Sequence, residues 1–163
     1  MRPDYVLGID PGLSGAAALL RVSDKSLIHV ADMPVAKGRV DPVKLAGLVE
    51  MYKTYGSIAA AVELVGSMPR QSGAFNFGVS AGVVHGVLGA LGVPCTLVSP
   101  SQWKPAMGLR KMLNESRAQN KGRARELAVK LWPGQAELFA RVKDDGRAEA
   151  ALLARHAIDM KGW

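Results

Sequence analysis

The chain has 163 residues, with 21 Lys and Arg against 14 Asp and Glu, a net charge of +7 and one cysteine. That length suits a single domain over residues 1–163 with a full hydrophobic core, and the lone cysteine excludes an internal disulfide and points to a reducing compartment. The opening Met1-Arg2-Pro3-Asp4 lacks the apolar stretch of a secretory signal, so a cytoplasmic protein with no membrane association is expected.

Tyr5-Val6-Leu7-Gly8-Ile9 is apolar and rich in β-formers, so it reads as a buried strand that Pro11-Gly12 terminates. Asp10 stands where the strand stops. A carboxylate at such an edge is paired, bonded to backbone amides or bound to a cation; equally, Asp10 caps the turn through its own side chain. Strands over residues 16–22 and 27–33 follow through short polar links, which makes antiparallel neighbours of the first three. Asp41-Pro42 supplies a helix cap and first position, with Leu45, Leu48, Val49 and Tyr52 on one face. Residues 58–64 form another buried strand, and it too carries one carboxylate, Glu63.

Beyond a loop at 67–73, a helix over 74–91 sets Gly78, Gly82, Gly86 and Ala90 four apart in a stripe. Glycine costs about 1 kcal/mol per helical position, so a row of it implies close packing, on the domain's own sheet or on a second protomer. A membrane span is disfavoured because Asn76, Ser80 and His85 interrupt the run. Residues 94–99 form the next strand, where apolar neighbours mark Cys95 as a small buried hydrophobe. Ser99-Pro100 starts a short helix containing Gln102, Trp103 and Lys104. A basic amphipathic helix covers 121–132, and a last helix runs from about Arg147 to Met160.

The positive charge does cluster. Lys104, Arg110, Lys111, Arg117, Lys121, Arg123, Arg125 and Lys130 face only Glu115 and Glu126 in that stretch, an excess that favours phosphate contact over an ordinary solvated face. At the last helix, Asp145 and Glu149 are four apart and differ by only about 40° around the axis, whereas Asp144 and Glu149 diverge by about 140°. Asp145 is therefore the better partner for Glu149, against the plainer reading of an acid favoured by the helix dipole. Asp10, Glu63, Asp145 and Glu149 brought together would repel one another, so a stable cluster implies divalent cations. Oxygen-only ligands select Mg²⁺ or Mn²⁺, and two such ions suit in-line phosphoryl displacement.

Gly8-Ile9-Asp10-Pro11-Gly12, Ala61-Val62-Glu63, and Asp145 through Arg147-Ala148-Glu149-Ala150 resemble the opening, second and last motifs of the RuvC-family Holliday junction resolvases, over nearly the whole chain. The resemblance implies an α/β, ribonuclease-H-like fold, a five-stranded mixed sheet flanked by helices. It also implies that Asp10, Glu63, Asp145 and Glu149 are catalytic Mg²⁺ ligands, with two ions per active site and no nucleotide cofactor. Lys104 and Lys121 fall where the family places catalytic or DNA-contacting lysines; Arg123 and Arg125 are expected on DNA. The loop with Met68 and Arg70 resembles the segment that reaches into the junction centre. The partners implied are four-way branched DNA and a second copy of the chain, the glycine stripe resembling the family's dimer helix. The tract at 75–88 and the Arg-Ala-Glu form of the last motif look most like phage and prophage members.

Overall fold

The computed structural model describes residues 2–64 and 74–161. Strand β1 (Tyr5–Asp10) pairs antiparallel with β2 (Ala16–Arg21), and β2 with β3 (Leu27–Asp32). A short hairpin of β4 (Val35–Ala36) and β5 (Arg39–Val40) leads to α1 (Pro42–Lys53). Asp41 caps α1 by accepting hydrogen bonds from the Val43 and Lys44 amides at 3.0 and 3.1 Å. Strand β6 (Ile58–Glu63) lies parallel to β1; α2 (Ala74–Ala90) then precedes β7 (Cys95–Val98), parallel to β6. Helices α3 (Pro100–Ala106) and α4 (Arg117–Leu131), two 3₁₀ segments (Pro133–Phe139 and Val142–Asp144) and α5 (Asp145–Lys161) complete the chain.

The sheet order is β3-β2-β1-β6-β7, the five-stranded mixed sheet that the resemblance implies. Strand alternation divides its side chains between two cores. Leu7, Ile9, Leu19 and Val62 pack on Leu45, Val49 and Tyr52 of α1 and on Val84 and Leu88 of α2. Val6, Ala18, Leu20 and Ala61 meet α4 and α5 through Ala124, Ala128, Leu152, Leu153 and Ile158. Helix α5 is buried almost all round from Ala148 to Ala154.

Two expectations need revision, and one open alternative is decided. Helix α4 begins at Arg117, before Lys121, because Ser116 and Gln119 cap each other reciprocally: the Ser116 amide donates to Gln119 Oε1 at 2.8 Å and the Gln119 amide to Ser116 Oγ at 3.2 Å. Cys95 is exposed, not buried, because β7 is an edge strand and the α1/α2 core that covers Ala60 and Val62 does not extend over their registered neighbours Cys95 and Leu97. The glycine stripe does not pack on the sheet. Gly78, Gly82, Gly86 and Ala90 are exposed, and a Cβ added to any of the three glycines would meet nothing within 4 Å. Helix α2 buries Ser80, Val84 and Leu88 instead. No helix among the described residues is long and apolar enough to cross a membrane.

Candidate active site

Asp10 and Glu63 stand one step beyond the registered pair Ile9–Val62 of the parallel β1 and β6 strands. Ile9 and Val62 enter the α1/α2 core, so alternation turns both carboxylates toward α5. Close approach of α5 is possible because of glycine. A Cβ on Gly8 would overlap the Ala150 carbonyl oxygen and stand 2.8 Å from the Ala154 amide nitrogen, and one on Gly146 would stand 3.0 Å from the Gly15 Cα. Helix α5 thus lies directly on β1 and on the turn that follows it, bringing Glu149 toward Asp10.

The helix is anchored at both ends. Arg147 pairs with Asp32 at the end of β3, its Nη2 donating to Oδ2 at 2.8 Å, and Asp159 accepts from Lys25 Nζ at 2.6 Å.

Asp10 caps the turn and is also buried among like charges. The Gly12 amide donates to its Oδ1 at 3.2 Å, a turn cap, and its carboxyl is pushed up to about 6 by burial and then by the Glu149 charge. Lys121 and Lys104 oppose that rise. Glu63, 8% exposed, is pushed up to about 7 by burial and by the charges of Glu149 and Asp10. Three acids on β1, β6 and α5 therefore share one electrostatic field.

Each outlying acid has a cation. Lys104 of α3 donates to Glu149 Oε1 at 2.8 Å, and Lys121 of α4 pairs with Asp145. Trp103, fully buried beside Lys104, donates its indole N–H to Glu63 Oε2 at 2.8 Å. Consecutive residues of α3 thereby engage two of the carboxylates, and Lys104 Nζ also lies 5.2 Å from the Trp103 ring centroid.

Asp144 points elsewhere. Although burial opposes it, hydrogen bonds from Arg141 hold its carboxyl below the ordinary range, and Arg147 adds to the effect. Asp145, by contrast, pairs with Lys121, whose charge also bears on Asp10.

The expected DNA residues separate. Arg123 is held internally, donating to Glu115 Oε1 at 2.8 Å and to the Gly108 and Arg110 carbonyls at 2.7 and 3.2 Å. Arg125 is half-buried, and its Nε has no hydrogen-bond partner among the described residues. Met68 and Arg70 lie outside the described residues. Sequence reading overlooked Trp103 as a carboxylate donor, although a tryptophan adjoining the flagged Lys104 just beyond a strand was the available signal. The Asp32–Arg147 pair joins residues 115 apart, beyond the reach of any local pattern.

Among the described residues, no group of three or more His, Cys, Asp or Glu side chains is close enough to hold a metal ion as it stands. The donor chemistry nevertheless fits a hard divalent cation, since carboxyls that burial and mutual repulsion push up to about 6 and 7 form an oxygen-only set in need of positive charge.

Glu63 carries a sign-definite pH effect. Because its folded value lies above its unfolded one, its contribution to stability is full below the unfolded value, near 4.5, and is lost as pH rises through about 7. In chelator-treated protein, the fall in stability from pH 5 to 8 should exceed that of Glu63→Gln by about 2–3 kcal/mol, or roughly 5–10 °C in Tm. Parallel Tm curves for the two proteins would refute the assignment.

In sequence, no family model and no curated protein matches the chain. In structure it is similar to Thermus thermophilus RuvC, with TM-score 0.61, 21% identity and 96% of each chain covered. It is similar to T. thermophilus RuvC in complex with a Holliday junction substrate, with TM-score 0.65, 16% identity and 96% of each chain covered. The yeast mitochondrial Holliday junction resolvase Ydc2 matches with TM-score 0.52 and 18% identity, over 99% of this chain and 81% of that one. Sheet order, flanking helices and full-length structural match together give this chain the ribonuclease-H-like α/β fold of the RuvC-type Holliday junction resolvases.

Proposed function

We propose that the protein is a divalent-metal-dependent endonuclease that resolves four-way DNA junctions by paired phosphodiester hydrolysis. The observation that carries this reading is the convergence of Asp10, Glu63 and Glu149, with Lys104 and Lys121 beside them, on one edge of a sheet whose fold is shared with resolvases. Asp10, Glu63, Asp145 and Glu149 would hold Mg²⁺, with Mn²⁺ able to substitute. When bound, the ions would supply Lewis acidity for activating water and for stabilising the leaving oxygen.

Each residue then has a task. Asp10, Glu63 and Glu149 would be the principal ligands, with Asp10 the one common to the set, and Asp145 would help to position the ions. Trp103 fixes one oxygen of Glu63 and leaves the other for a ligand. Lys104 and Lys121 neutralise Glu149 and Asp145 in the metal-free protein and are suited to turn to the scissile phosphate when those acids take a cation. Arg125 is assigned to phosphate contact as part of the basic cluster, whereas the donors of Arg123 are already used inside the protein. Met68 and Arg70 are assigned to the junction centre on the resemblance alone.

A homodimer fits the task, because a four-way junction has approximate two-fold symmetry and one metal cluster makes one cut at a time. The exposed Gly78-Gly82-Gly86-Ala90 stripe is open to such a partner. In this reading the protein works on DNA in the cytoplasm of a bacterium or a phage-infected host.

A second reading, a branched-DNA-binding protein without cleavage, draws support from the lysine pairs that occupy Glu149 and Asp145. One experiment separates the two. Incubation with a synthetic four-way junction and with linear duplex, with and without Mg²⁺, should yield paired nicks only in the junction with Mg²⁺. Junction binding without nicks under any divalent metal would favour the second reading, and no junction binding would overturn both.

A further inference from the structure

The segment joining α3 to α4 springs from the two helices that carry Lys104 and Lys121 to the carboxylates, and it is built to hold a shape. Leu109 anchors it in the α4/α5 core. Arg123 donates to the carbonyls of Gly108 and Arg110, and Asn120 Nδ2 to that of Leu109 at 3.2 Å. Glu115, its side chain 6% exposed, receives the Arg123 guanidinium, Asn120 Nδ2 at 3.1 Å and the Met112 amide at 3.0 Å. Asn114 adopts a left-handed backbone at φ 62°, which closes the turn.

This frame presents apolar side chains to solvent. Leu113 is 94% exposed and Met112 55%. Single exposed apolar residues are ordinary on protein surfaces, but these two occupy the tip of a segment held by two long polar side chains and a buried carboxylate. Their surroundings are positively charged on balance: Arg110, Lys111 and Arg117 are exposed, Glu115 is neutralised by Arg123, and Glu126 is the remaining acid beside them. An apolar tip in a cationic rim suits DNA, whose phosphates meet the rim while a bulky aliphatic side chain enters a base step.

We propose that Met112 and Leu113 form a preorganised wedge that inserts between bases at a DNA branch point, where stacking is already interrupted and unstacking costs least. This rests on the junction-nuclease reading and assigns to it a residue pair for recognising the branch. Arg123 is then a positioning residue, acting through the loop rather than on phosphate.

The test uses the full chain in Ca²⁺, so that DNA is bound but not cut, with a four-way junction carrying 2-aminopurine at the crossover and the same base in linear duplex. Wild-type protein should raise the junction fluorescence at least twofold and leave the duplex unchanged. The double variant Met112→Ser/Leu113→Ser, whose exposed positions leave the fold intact by circular dichroism, should abolish the rise while keeping junction affinity within about fivefold, since phosphate contacts remain. A fluorescence rise undiminished in the variant overturns the wedge. So does loss of self-association in sedimentation with the rise intact, which would assign the tip to a protein contact. Failure of the wild-type protein to bind the junction overturns the underlying reading and the wedge with it.

Discussion

Asp10→Asn should lower junction cleavage by at least ~10³-fold, the cost expected when a shared ligand of catalytic ions is lost and several kcal/mol of transition-state stabilisation go with it. The turn should survive, because an asparagine oxygen can still accept the Gly12 amide. Junction affinity should stay within a few-fold, since the basic surface around α4 supplies it. Metal-free stability should rise above pH 6, because the substitution removes a carboxylate that burial and the Glu149 charge disfavour in its ionised form. Gel assays for nicking and binding, with a melting curve in chelator, check the three parts. Full cleavage by the purified variant would remove Asp10 from the chemistry.

Gly8→Ala should be strongly destabilising. Its Cβ would overlap the Ala150 carbonyl oxygen and crowd the Ala154 Cβ at 2.9 Å, both on α5. Backbone cannot rotate away as a side chain can, so α5 must lift from β1, at a cost of at least ~3 kcal/mol. Displacing α5 also moves Glu149 from Asp10, so any surviving fold should lose cleavage out of proportion to its lost stability. Gly78→Ala is the matched comparison. Its Cβ meets nothing within 4 Å, so a gain of up to ~1 kcal/mol in helix propensity is expected for the isolated chain; in a dimer that uses the stripe, it should weaken association instead. Urea unfolding of both variants measures the contrast, and equal Cm values would show that Gly8 is not a contact point.

What was legible in the sequence followed from local chemistry. Apolar runs located β1 with Asp10 and β6 with Glu63, and helical spacing favoured Asp145 over Asp144 as the partner of Glu149; in the structure Asp145 pairs with Lys121 and Asp144 with Arg141. The Asp41 cap and Pro42 located the start of α1. Other features depended on distant parts of the chain. The Cys95 neighbours are apolar, but only strand order shows that β7 lies at an edge. Arg123 looks like any basic helix residue until the fold sets three acceptors around it. Trp103 and Glu63 are 40 apart in sequence, and no spacing rule links a tryptophan to a carboxylate at that range. The Ser116–Gln119 cap was readable and fell outside the periodic pattern only because it precedes the helix's apolar face.

The two anchors of α5 bear on how the molecule breathes. Asp32 and Lys25 belong to β3 and to the turn before it, so the helix that carries Asp145 and Glu149 is tied at its start and near its end to the strand farthest from β6. Local fraying usually begins at elements with few such ties. Amide exchange across the buried stretch from Ala148 to Ala154 is therefore expected to be among the slowest in the described residues. Geometry around the acids and cooperativity of the whole fold become one property, and a protein that has lost the first has largely lost the second.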